Sequence, residues 1–184
     1  MTTKNKSLFV LASFILMMFL SVSCKKTTPP NPNEEELITT FVLLLKDSAG
    51  VAPDITAIYR DLDGDGGNNP SRWDTITMLP STTYFAEIFC LDETKSPADS
   101  ISHEIKEEAK EHLFCFLPSG VNVAIQRTDN DGQGYELGLL STWRTGAISN
   151  GNIRIQLRHQ PGTKNGTCDP GSTDLDITFP ARIF

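Results

Sequence analysis

Apolar and polar positions alternate with a period of two through much of this chain. The clearest run is Asn152–His159, where Ile153, Ile155 and Leu157 alternate with Arg154, Gln156 and Arg158. A strand sends successive side chains to opposite faces, so this spacing predicts a half-buried β-strand. Similar runs predict strands at Leu37–Leu45, Ile55–Asp61, Trp73–Leu79, Thr83–Leu91, Leu113–Leu117, Val121–Thr128, Leu137–Thr145 and Asp174–Phe179. Gly, Pro, Asn and Asp punctuate the gaps between them. Helical spacing occurs at Asp99–Glu111, where Ile101, Ile105 and Ala109 recur four residues apart after Pro97. That segment is charged almost all round, so the expectation is a short helix lying on an edge rather than in the core. The pattern predicts an all-β fold, a single antiparallel β-sandwich of immunoglobulin-like or transthyretin-like type with one short acidic helix. No repeat at solenoid periods is visible.

The N-terminal pattern is different. Lys4 and Lys6 precede an apolar stretch, Leu8–Leu20, followed by Ser21-Val22-Ser23 and then Cys24. The stretch is shorter than the roughly 20 residues a spanning helix needs, and a polar, proline-rich segment follows it. This is the layout of a lipoprotein signal, with Met1–Ser23 removed and Cys24 carrying the lipid. Ser21 stands where the usual motif has Leu, and plain secretion or an uncleaved anchor are the alternatives. One acyl chain gives marginal membrane binding, whereas two or three hold stably. The expected organisation is a signal peptide over 1–23, a lipidated cysteine and tether over 24–36, and a sandwich domain over 37–184.

Cleavage removes Lys4 and Lys6 and no acid, taking the net charge from −7 to −9. An acidic domain is repelled by nucleic acid, which excludes that class of partner. Besides Cys24 there are Cys90, Cys115 and Cys168. Cys90 and Cys115 lie in apolar strand-like runs, as buried thiols or as a Cys90–Cys115 disulfide. Cys168, in a Gly/Pro/Asp loop, is expected to be exposed.

Asp61-Leu62-Asp63-Gly64-Asp65-Gly66 matches the front half of a calcium loop, in which carboxylates at alternate positions converge on a hard cation. The back half fails, since the twelfth position is Arg72. Asp61, Asp63 and Asp65 are thus either calcium ligands or hairpin-turn residues, and a poorer loop recurs at Asp129-Asn130-Asp131-Gly132. His112 and His159 each close a strand beside charged neighbours, as ligands for a transition metal or as locally hydrogen-bonded side chains. Asp47-Ser48-Ala49, Asp74-Thr75-Ile76 and Asp99-Ser100-Ile101 fit a bacterial O-glycosylation pattern at Ser48, Thr75 and Ser100, although Asp-Ser also suits turns and helix caps. Nucleophile elbows, zincin motifs, phosphate loops and dinucleotide fingerprints do not occur in the sequence, which argues against an enzyme.

The order of Arg60–Gly67, Glu111-His112, Thr145-Gly146-Ala147 with Gly151, Arg158–Lys164 and Thr173–Phe179 resembles a family of small bacterial lipoproteins often called type 1 periplasmic binding fold superfamily proteins. The resemblance implies a β-sandwich of unassigned activity, in some cases accompanying a TonB-dependent outer-membrane receptor. Ala109-Lys110 stands where the family pattern has a helix-breaking glycine, which implies a longer helix here. A doubly wound fold conflicts with the lack of βαβ alternation. The function expected is a non-enzymatic binding or accessory module anchored to the outer membrane. The alternatives are a calcium-rigidified structural envelope protein and an unrecognised hydrolase.

Overall fold

The computed structural model describes residues 36–64 and 67–184. The leader, Cys24, most of the tether and Asp65 lie outside the described residues. Among those described, eleven strands and one helix follow in order: β1 (Thr40–Asp47), β2 (Ile55–Arg60), β3 (Arg72–Trp73), β4 (Ile76–Met78), β5 (Thr83–Asp92), β6 (Asp99–Ser100), α1 (Ile101–Glu107), β7 (His112–Ser119), β8 (Val123–Arg127), β9 (Leu140–Thr145), β10 (Ser149–His159) and β11 (Ser172–Ile183). One sheet runs β3-β2-β1-β5-β9-β8, with β6 also paired to β5, and the other runs β4-β11-β10-β7. Pairing is antiparallel except between β4 and β11. The fold is an all-β sandwich.

Period two decides what lies between the sheets. Phe41, Leu43 and Leu45 of β1 and Ile88 of β5 meet Ile153, Ile155 and Leu157 of β10 and Phe179 of β11 in one core. Phe41 and Phe179 touch across the gap with ring centres 5.8 Å apart. Each such side chain, fully buried, contributes about 1.5–3 kcal/mol relative to exposure. The helices present include none long and apolar enough to cross a membrane among the described residues.

Three expectations need correction. The stretch read as one strand, Trp73–Leu79, is two, in different sheets. The Asp74 carboxylate accepts from Ile58 N at 2.9 Å and stands in for strand pairing where the chain leaves the first sheet. The helix spans Ile101–Glu107 only. Asp99 and Ser100 pair with β5 instead, and the carbonyl of Ala109 is taken by Lys164 Nζ at 2.8 Å, so the Ala-Lys pair does not extend it. Nor does it lie on an edge. β9 pairs with β5 only as far as Glu87, and α1 fills the space beyond. Ile101 and Ile105 enter the core there, and Ser102 Oγ takes the freed Cys90 N–H.

The third correction concerns the cysteines. Cys115 is bonded to Cys168, and Cys90 is a free, buried thiol. Phe114 belongs to the core and Phe116 packs against it, so Cys115 points to the outer face of its sheet. Cys90 points inward from the other sheet and is out of reach. The loop over residues 160–171 folds back to meet Cys115. Arg158 holds it by donating to the Gly171 carbonyl at 2.6 Å, and Gln160 Nε2 donates to Thr167 O and Pro170 O, both at 2.9 Å. Cys168 is half-buried rather than exposed. Burial in the apolar core pushes the Cys90 thiol far up, which makes it inert.

Candidate functional site

The crossing from one sheet to the other builds the site. After α1 the chain turns through residues 108–111, and β7 starts at His112 on the second sheet. His112 lies opposite His159 at the final register position of the β7–β10 pair. Phe114 and Leu157 face the core, so both imidazoles also face inward, and both are buried. Their rings stack, with centres 4.9 Å apart and planes 11° apart.

Asp174 reaches the same place through a bulge. Leu157 pairs with Leu175 but Arg158 pairs with Thr173, which leaves Asp174 as an extra residue. Bulges re-aim side chains. Asp176, two residues on, stays outside and accepts from Arg154 and Gln156. Asp174 turns inward, its side chain fully buried, with Oδ2 3.6 Å from His112 Nε2. Among the described residues neither Asp174 oxygen nor His112 Nε2 has a hydrogen-bond partner. His112 Nδ1 lies 3.2 Å from the Glu108 carbonyl. A carbonyl only accepts, so this contact places a ring proton on Nδ1.

Two further carboxylates close in. One donor atom each from Glu36, Glu108 and His112 lies within 4.8 Å of the others. Burial pushes the Glu36 carboxyl up to about 7. The charges of Glu104, Glu108 and Asp174 reinforce the shift, and His112 opposes it. The cluster borders a cleft of about 250 Å³ whose lining includes Glu36, Tyr59, Asp61, Gly64 and Asp174. An acidic cleft lined by Glu36, Asp61, Asp174 and Asp176, with the buried His112 imidazole behind Asp174, is suited to holding a cation.

The structure places the residues singled out by sequence as follows. His112 and His159 meet, but as a stack whose in-plane lone pairs run side by side, and His159 Nε2 faces Glu111 at 3.6 Å. Asp61 lines the cleft. Its Oδ1 accepts from Gly64 N at 3.2 Å and its Oδ2 from Tyr59 Oη at 3.3 Å. Asp63 Oδ2 accepts from both Asn68 N and Asn68 Nδ2, and the Asn68 backbone N–H above all holds this carboxyl below its usual range. These are turn-closing bonds, and Arg72 lies on Asp74 at 2.9 Å. Asp129 accepts from Gly138 N and Leu140 N, and Asp131 from Gln133 N and Tyr135 N. Ser48, Thr75 and Ser100 are all exposed. Glu36, Glu108 and Asp174 escaped the sequence reading. Glu36 ends an acidic run read as solvated, and alternation with Leu175 and Ile177 assigns Asp174 to the outer face.

No family model matches the chain, and no curated protein or solved structure matches it either.

Proposed function

We propose that this protein is a non-enzymatic binding module, tethered by lipid on Cys24 to the outer membrane, that takes its ligand at the acidic cleft beside the start of the sandwich. The observation that carries the reading is the buried Asp174 carboxylate, which lines the cleft, faces His112 Nε2 at 3.6 Å and has no hydrogen-bond partner among the described residues. Buried polar groups are normally satisfied, and a site that leaves them open is built for something that arrives. The lipoprotein-like leader supports the address, and the family resemblance supports a TonB-dependent receptor as the neighbour that receives the ligand.

Two measurements test this. Labelled palmitate is expected in the wild-type chain and absent from Cys24→Ala, which moves to the soluble fraction. A Cys24→Ala chain that still sediments with membranes contradicts the anchor. The full chain is expected to show no turnover on peptide, ester and glycan libraries. Turnover abolished by Asp174→Asn would contradict the binding role.

A further inference from the structure

We infer that Glu36, Glu108 and His112, with Asp174 beside the imidazole, hold a divalent transition-metal ion. The inference rests on the binding-module reading and gives its cleft a ligand class. His112 Nε2 and Asp174 Oδ2 face each other at 3.6 Å, both buried and both without a hydrogen-bond donor. With its proton on Nδ1, the neutral ring presents a lone pair at Nε2, and a cation between that nitrogen and the carboxylate would satisfy both. Donor pairs around a tetrahedral zinc-sized ion lie about 3.4 Å apart, given metal–donor distances of about 2.0–2.2 Å. The observed spacing therefore needs little adjustment.

The imidazole is also held as a metal ligand is held. Its Nδ1 donates to a backbone carbonyl, which fixes the ring plane and points the other nitrogen at the ion. Glu36 and Glu108 each place a carboxylate oxygen within 4.8 Å of a His112 ring nitrogen and of each other, and Asp174 meets this group through His112. A nitrogen donor among carboxylates favours first-row transition ions over calcium and magnesium. Asp61, Asp63, Asp129 and Asp131, by contrast, already accept from backbone N–H groups. An ion at His112 would join four places distant in sequence: the lead into β1, the turn after α1, the start of β7 and the bulge of β11.

The full chain, purified in detergent and stripped with a chelator, is titrated with Zn²⁺ by calorimetry and the loaded protein read by X-ray absorption. One Zn²⁺ per chain is expected, in a nitrogen/oxygen donor shell containing one imidazole. His112→Gln and Asp174→Asn each weaken binding by at least about tenfold. Glu36→Gln, at a half-buried position that leaves the core intact, does the same with an unchanged circular dichroism spectrum, and Ca²⁺ does not compete. Absence of saturable Zn²⁺ binding, unchanged affinity in all three variants, a sulfur donor, or displacement by equal Ca²⁺ would each overturn the assignment. Lipid labelling and turnover do not depend on zinc. Loss of zinc binding in a lipidated, inactive chain removes the ion alone, whereas zinc-dependent turnover removes the binding-module reading and keeps the site.

Discussion

Two acid-rich regions of this molecule treat their carboxylates in opposite ways. Around residues 129–140 every acid has a partner. Asp129 closes the turn onto Gly138 N and Leu140 N. Asp131 takes two backbone N–H groups and faces Lys164 Nζ at 3.3 Å, with both side chains almost fully buried. Burial pulls the Asp131 carboxyl up, but the Gln133 and Tyr135 amides and the Lys164 ammonium outweigh it and leave it below its usual range. Around His112, among the described residues, neither Asp174 oxygen accepts a backbone N–H, the imidazole 3.6 Å away is its ion-pair contact, and burial pushes Glu36 up to about 7. The first region spends its charge on holding the fold. The second gathers carboxylates around a single imidazole with no lysine or arginine paired to them among the described residues, an arrangement open to a cation.

The comparison can be broken most sharply at Lys164. Lys164→Met strands the buried Asp131 carboxylate and is expected to cost about 3–5 kcal/mol in urea unfolding, with much of the loss restored by adding Asp131→Asn. A cost under about 1 kcal/mol would show that the pair is not the pin described here. The next largest effect belongs to the disulfide, because the loop that Cys168 secures also carries Lys164. Replacing Cys115 and Cys168 by Ser is expected to cost about 2–4 kcal/mol, as for a cross-link with a sequence separation of 53. The same denaturant measurement checks it.

The second region should respond with the opposite sign. In chelator, Asp174→Asn removes a buried carboxylate that accepts no hydrogen bond among the described residues and is expected to stabilise the chain by about 0.5–2 kcal/mol. A loss of stability there would mean that Asp174 is already compensated. A further effect, discounted because Glu36 is half-exposed, is its pH dependence. Its carboxyl titrates near 7 when folded against 4.5 as a model group, so the folded chain binds more protons between those values. The associated stability is present below about pH 4.5 and fades as pH rises through about 7. Melting curves of the metal-free protein should therefore fall from pH 5 to pH 8, and Glu36→Gln should flatten that slope.

Much of the sandwich was legible because period two is a local signal. Ile153, Ile155 and Leu157 declared an inward face from their spacing alone, and all three are fully buried. Legibility failed where a tertiary partner changed the local rule. Asp74 broke one apparent strand into two by bonding Ile58 N. The helix ended at Glu107, and Lys164 takes the Ala109 carbonyl beyond it. Cys115 found Cys168 because alternation turns it away from Cys90, a parity that a list of cysteines does not carry. The site was the least legible part. His112 and His159 were visible as candidates, but nothing linear shows that they stack. Asp174 was hidden because one extra residue in β11 reverses the face that alternation assigns to it.

The most direct test is the melting temperature of the chelator-treated full chain before and after equimolar Zn²⁺, for wild type and Asp174→Asn side by side. The account predicts a clear rise for wild type and little or none for the variant, even though the variant starts higher. Equal shifts in the two chains, or no shift in either, would contradict it.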